Sequence, residues 1–177
     1  PVLSDVHSVG EAEMAADYLD VIQVPAYLSM QTSILQAAGR TGKPVNIKKG
    51  QFLHPQDMGN AIGKLEDVGC RDILLTERGT CFGYRGLVVD FRSLPTMQEL
   101  GYPVVYDPTH SIRNYGISSS DPTGGNPEFI PALTRAGIAV GCDVLFMETH
   151  DDLEHALCDA ASMLPFDRLA DLLEQVL

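Results

Sequence analysis

The stretch Val45-Asn46-Ile47-Lys48 alternates apolar and polar residues with a period of two. Side chains of a strand point alternately to two faces, so Val45 and Ile47 share one face and Asn46 and Lys48 the other. Short apolar, β-branched runs recur on both sides of it, at Val2–Val6, Val21–Val24, Ile73–Thr76, Val104–Tyr106 and Val144–Met147. Helical patterns separate them, at Gly10–Leu19, Thr32–Arg40, Pro55–Val68, Arg92–Leu100 and Pro127–Ala139, and a last helix runs from Pro165 to Val176. Strand, polar segment, helix, strand is the order that demands a parallel sheet, and the predicted class is α/β.

The polar residues then fall into a pattern. Asp5 and His7, Gln23, Lys48, Arg78, Asp107 and His110, and Glu148 and His150 all stand at the C-terminal ends of the expected strands. In a TIM-type (β/α)8 barrel that end is the active-site face, and alternate strand residues point inward. Parity sends Asn46, Lys48 and Glu148 inward and Glu77 outward. The barrel is therefore the predicted architecture. Such barrels usually take about 250 residues, and this chain has 177, so the expectation is that it begins partway through its fold.

Composition narrows the function. A hydrophobic share of 45% can fill a core, which excludes a disordered or collagen-like chain. A net charge of −12 with no basic stripe argues against a nucleic-acid binder. No apolar run reaches the roughly 18 residues of a membrane helix and no leader is visible, so a soluble protein is expected. Four cysteines without a CxxC spacing read as reduced thiols of the cytoplasm.

Two sets of residues could carry chemistry. Lys48 and Arg78, cations at consecutive strand ends, suit a phosphate or carboxylate, with ordinary ion pairs as the alternative reading. His110, Glu148 and Asp159 offer one imidazole and two carboxylates, a mixture fit for Zn, Fe or Mn, although their spacing is not diagnostic. His7 and His150 could support these groups or merely cap loops, and His54 and His155 read as surface residues. The loop Ser111–Asn126, rich in Gly, Ser and Pro, is a candidate lid. Its Gly124-Gly125 pair, just before a helix, could cradle an anion or simply turn the chain. Cys81 reads as a structural thiol; its only basic neighbours in sequence are Arg78 and Arg85.

Taken together these segments resemble the 3-deoxy-D-manno-octulosonate 8-phosphate synthases, aldolase-type barrel enzymes that condense phosphoenolpyruvate. The matching motifs are SDVH at Ser4–His7, DVIQVPAYL at Asp20–Leu28, QT at Gln31–Thr32 and VNIKKGQF at Val45–Phe52. TERGTCFGY at Thr76–Tyr84, LVVDFRSLP at Leu87–Pro95, YDPTHS at Tyr106–Ser111, AVGCDVLFMETH at Ala139–His150 and LCDA at Leu157–Ala160 complete them. The resemblance implies a cytoplasmic transferase of lipopolysaccharide biosynthesis, a homotetramer, that joins phosphoenolpyruvate to arabinose 5-phosphate and releases phosphate. It implies that Lys48 and Arg78 hold the phosphoenolpyruvate phosphate with Gln23 and Ala26 beside them, and that Tyr27, where Phe is common, separates the substrates. Asp5 would face the sugar phosphate as a catalytic residue with His110. His110, Glu148 and Asp159 match three of four metal positions in the metal-dependent branch, and the metal-independent branch stays open. By the same resemblance the chain supplies about strands three to eight, and residues 1–177 form a single barrel domain without the first two. Pro127 stands where the family's lid has Arg, and Asp151 follows His150 where Pro is frequent.

Two other readings compete. One is the related 3-deoxy-arabino-heptulosonate 7-phosphate synthase, which takes erythrose 4-phosphate; VPAYLSMQT and RGTCFGY speak against it. The other is a barrel relative without catalysis, against which the intact strand-end residues speak.

Overall fold

Six strands, β1 (Leu3–Asp5), β2 (Val21–Val24), β3 (Val45–Lys48), β4 (Ile73–Glu77), β5 (Val104–Tyr106) and β6 (Val144–Leu145), pair in chain order, each parallel to the next. The computed structural model describes residues 1–81, 86–118 and 121–176. Residues 82–85, 119–120 and 177 lie outside these, and with them the FGY end of the Thr76–Tyr84 motif, Arg85 and the middle of the Ser111–Asn126 loop. A sequential, all-parallel sheet with helices in its crossovers is the architecture of a TIM-type (β/α)8 barrel, here with six strands among the described residues. No helix among the described residues is long and apolar enough to cross a membrane.

The helices are α1 (Val9–Ala15), α2 (Thr32–Arg40), α3 (Met58–Glu66), α4 (Ser93–Gln98), α5 (Pro108–Ser111), α6 (Ile130–Val140) and α7 (Leu169–Glu174). Several are shorter than the periodicity predicts because their first turn is a tight 3-10 turn. Pro55–Asp57 precedes α3, Pro127–Phe129 precedes α6 and Phe166–Arg168 precedes α7. Each of these turns starts at or beside a proline, whose fixed φ suits a helix start. Helix α6 stops at Gly141, whose φ of 100° is a left-handed cap.

Two elements differ from the sequence reading. Helix α5 lies at the start of what reads as a loop: the Asp107 side chain accepts a bond from the His110 N–H, and Pro108 follows at the first helical position. Strand β6 ends at Leu145 rather than Met147: the Phe146 N–H still donates to the Tyr106 carbonyl at 2.9 Å, but β5 turns into α5 after Tyr106, and the Glu148 N–H goes to the Thr109 hydroxyl instead. The chain then forms β7 (Thr149–His150), which pairs with β8 (Leu164–Pro165) in a separate two-stranded parallel sheet.

The face assignments from parity hold. Ile22, Val24, Val45, Ile47, Ile73 and Leu75 join Leu35, Met58, Leu65, Leu94 and Met97 in the main core between sheet and helices. On the opposite face Asn46 Nδ2 donates to Gln23 Oε1 at 2.9 Å, and Thr76 Oγ1 donates to Asn46 Oδ1 at 2.7 Å. Three strands are thus tied together by side chains across the barrel interior, and the amides of Gln23 and Asn46 partner each other.

Helix α6 approaches β5 closely enough that a Cβ on Gly137 would lie 2.3 Å from Tyr106 Cδ1. Gly63, inside α3, has open space where a Cβ would go. Gly137→Ala is therefore expected to cost about 1–3 kcal/mol through overpacking, whereas Gly63→Ala gains about 0.5–1 kcal/mol from lower chain entropy. Urea unfolding midpoints of the two variants check this; equal shifts would contradict the packing assignment.

Candidate functional site

The strand ends that carry polar residues open onto one cavity of about 540 Å³. Asp5 comes from the end of β1, Gln23 from β2, Lys48 from β3 and Arg78 from just beyond β4. Ala26 and Tyr27 stand on the 3-10 turn after β2, His110 on α5, Glu148 after β6 and Asp159 on the turn beyond β7. All nine of the residues singled out from the sequence line it. His7, His54, His150 and His155 do not. His54 and His150 use their ring nitrogens to accept backbone N–H groups of Gln56 and Asp152, which is loop capping.

The two cations differ in their surroundings. Lys48 Nζ lies 2.8 Å from Asp107 Oδ2, with both side chains buried, and 4.5 Å from the centre of the Phe146 ring. Arg78 has no carboxylate within ion-pair distance among the described residues, and its Nη1 is buried without a hydrogen-bond partner. Burial pushes the Arg78 guanidinium down from its usual value, and the Asp107 charge opposes that shift. An unpartnered, buried guanidinium on a cavity wall is a group prepared for an anion. Lys48 thus has an ion-pair partner while still lining the cavity, whereas Arg78 lines it with no ion-pair partner among the described residues.

Directly behind them a second buried pair faces the other way. Lys49 Nζ lies 3.6 Å from Glu77 Oε2, both side chains fully buried, and donates to Thr80 Oγ1 at 3.2 Å. Glu77 Oε1 accepts the Gly79 N–H at 2.7 Å. Gly79 has a φ of +94°, a backbone that favours glycine, so the turn next to Arg78 is fixed by its conformation and by Glu77. Burial lowers the Lys49 pKa and the Glu77 charge opposes it.

His110, Glu148 and Asp159 present ligand atoms within 4.8 Å of one another. His110 Nδ1 lies 2.8 Å from Asp107 Oδ2, while its Nε2 lies 3.4 Å from Glu148 Oε2 and 4.0 Å from Asp159 Oδ2. His110 Nδ1 stands beside both Asp107 Oδ2 and Lys48 Nζ, the latter 3.2 Å away, and this leaves Nε2 turned toward the two carboxylates, the orientation of an imidazole whose other nitrogen is engaged by neighbouring groups. Glu148 Oε2 is buried without a hydrogen-bond partner, and burial pushes its carboxyl pKa up, with His110 opposing. Burial alone would also raise the Asp107 pKa, but His110 and Lys48 hold it well below the usual carboxylate range. Asp159 adopts a φ of 53°, the left-handed region, rare for a non-glycine residue and common at functional turns. An imidazole and two carboxylates, one with an orphaned oxygen, are a donor set that fits a divalent cation.

Three residues of this neighbourhood are absent from the sequence-based set. Arg113 lines the cavity and pairs with Asp159. Tyr115 lines it too, and burial together with a hydrogen bond to Tyr27 pushes its hydroxyl pKa up. Lys49 escaped notice although strand parity already pointed it outward, toward Glu77. The Gly124-Gly125 pair does not form an anion cradle. A Cβ on Gly125 would lie 2.4 Å from the Ala161 carbonyl oxygen, so the pair permits a close backbone approach between the 121–126 segment and the turn after Asp159.

A model of the DAHP synthetase I family matches residues 1–176. Among curated relatives, the 2-dehydro-3-deoxyphosphooctonate aldolase of Syntrophotalea carbinolica is 52% identical over 177 residues, all of this chain and 64% of its own length. Those of a Cyanothece and a Synechococcus species are also 52% identical, over 100% and 97% of this chain and 64% and 59% of their own length. This chain therefore spans under two thirds of the length of these relatives.

Removing one partner of the Lys49–Glu77 pair strands a buried charge. Glu77→Leu is expected to lose about 3–5 kcal/mol of stability, and the double change Lys49→Met, Glu77→Leu to recover most of it. Urea denaturation of the single and double variants tests this; additive losses would show that the two side chains are not coupled.

Proposed function

The chain belongs to the DAHP synthetase I family, and from that premise we propose that it condenses phosphoenolpyruvate with arabinose 5-phosphate and water, giving 3-deoxy-D-manno-octulosonate 8-phosphate and phosphate. The observation that carries the proposal is the buried, unpartnered Arg78 guanidinium on a cavity shared with Lys48. The octulosonate acceptor is favoured over the heptulosonate one by the relatives, which are named 2-dehydro-3-deoxyphosphooctonate aldolases.

In this reading Arg78 and Lys48 neutralise the phosphate and carboxylate charge of phosphoenolpyruvate, and the Asp107 contact keeps Lys48 in place while it does so. Gln23, held by Asn46, and Ala26 bound the same end of the cavity, and Tyr27 divides it from the part that Asp5 faces. C3 of phosphoenolpyruvate attacks the aldehyde carbon of the sugar phosphate, water adds at C2, and the C2–O bond breaks so that phosphate leaves with the bridging oxygen. His110 Nε2 and the Glu148 and Asp159 carboxylates orient the aldehyde or the water from beside Lys48. These three residues would hold a divalent metal, which when bound polarises an oxygen as a Lewis acid. The buried Asp107 and Lys48 flank His110 Nδ1 and keep Nε2 turned toward Glu148 and Asp159.

Self-association is part of the proposal. Strands β1 and β6 stand at the two edges of the main sheet among the described residues, and the assembly proposed is a homo-oligomer such as a tetramer.

Phosphate release from phosphoenolpyruvate is expected with arabinose 5-phosphate and not with erythrose 4-phosphate. Turnover with the latter alone, or with neither, would overturn the assignment. Arg78→Met is expected to weaken phosphoenolpyruvate binding, read by calorimetry, about 10- to 100-fold, the worth of a charge-assisted hydrogen bond. Light scattering is expected to report an oligomer; a stable monomer would count against self-association.

A further inference from the structure

Arg113 enters the carboxylate cluster as a cation that belongs to the protein itself. Its guanidinium pairs with Asp159, and both side chains are largely withdrawn from water, at 16% and 21% exposure. The pair is not a chance meeting of two flexible side chains, because separate backbone constraints bring each end there. Arg113 forms an antiparallel bridge with Gly125, and its carbonyl accepts the Leu87 N–H at 3.2 Å. Gly125 packs against the Ala161 carbonyl, which docks that bridge on the turn carrying Asp159. Asp159 is held in turn by its left-handed backbone and by the Ser162 N–H, which donates to its carbonyl at 2.8 Å.

The arrangement sets up a competition. Asp107 is already matched by Lys48, so the charge left to attract a cation comes from Glu148 and Asp159. Arg113 cancels one of those two charges through Asp159 Oδ1, the oxygen next to the Oδ2 that faces His110 Nε2. We propose that Arg113 and a divalent metal compete for Asp159, so that Arg113 holds down this site's affinity for metal. When a metal takes Asp159, the guanidinium is displaced within a cavity that Arg78 also lines, and a second cation becomes free for an anionic substrate. Metal and anion binding are then mutually reinforcing, since such linkage is reciprocal.

The inference rests on the reading of His110, Glu148 and Asp159 as metal ligands, and the experiment separates the two. Binding of Mn(II) alone to the full chain is measured by electron paramagnetic resonance for the unaltered protein, Arg113→Gln, Arg113→Met and Arg113→Lys. The expected result is at least tenfold tighter binding in the two neutral variants, with Arg113→Lys close to the unaltered protein because it keeps the charge. A merely structural role for Arg113 would move affinity the other way, since a loosened Asp159 binds less well. Equal or weaker binding in the neutral variants that fold overturns the competition while leaving the metal site standing. Absence of Mn(II) binding in all four proteins overturns the metal reading and the competition with it. In an Asp159→Asn background the effect of Arg113→Gln is expected to fall below twofold; a persisting tenfold effect would mean general field rather than competition for Asp159, and would also overturn it.

Discussion

Charge taken out of water is the constraint on which this structure turns. Lys48, Lys49, Glu77, Arg78 and Asp107 are all buried at the ends of three consecutive strands. An isolated buried ion is costly, and these residues are tolerable only because parallel pairing puts opposite charges side by side. Lys48 and Asp107 meet across β3, β4 and β5 only if those strands keep their register, with Lys48 beside Thr76 and Glu77 beside Tyr106. A one-residue slip would turn every one of these side chains to the wrong face. The buried charges therefore act as a register check on the sheet, while Arg78, without an ion-pair partner among the described residues, supplies the site with unspent attraction for an anion.

The same logic reconciles an acidic protein with an anion pocket. Acidic residues outnumber basic ones 24 to 12, but the sign of the whole matters little inside a cavity walled by low-dielectric protein. There the local sum decides: Lys48, Arg78 and Arg113 stand against Asp5, Glu148 and Asp159 on the wall, with Asp107 behind Lys48. A nearly neutral wall with its charges already placed is suited to stabilising charge that moves during a reaction, because no solvent need reorganise.

What could be read from the chain beforehand follows the reach of the forces involved. Strands β2, β3 and β5 have the bounds that their apolar runs predict, since each is flanked on both sides and its residue pattern is a direct record of two faces. Strand β6 does not, because where it ends depends on where β5 bends away. The cavity lining was legible because the barrel's geometry places every strand end on one side, whatever the loops do. Arg113 was not, because its partner lies many residues on and is delivered by a glycine contact that only the folded backbone displays. The Gly124-Gly125 pair shows the same limit from the other side: glycine marks a place where something comes close, and the sequence does not say what.

Every strand of the main sheet pairs with the strand made just before it, Leu3 with Val21, Ile22 with Val45, Val45 with Ile73. The loops closed by these pairings span roughly tens of residues, a modest entropic cost for a parallel sheet. As the chain leaves the ribosome each new strand therefore finds a finished edge waiting for it and becomes the next edge in turn. Such a sheet can grow by accretion, strand upon strand, in the order in which the chain is made.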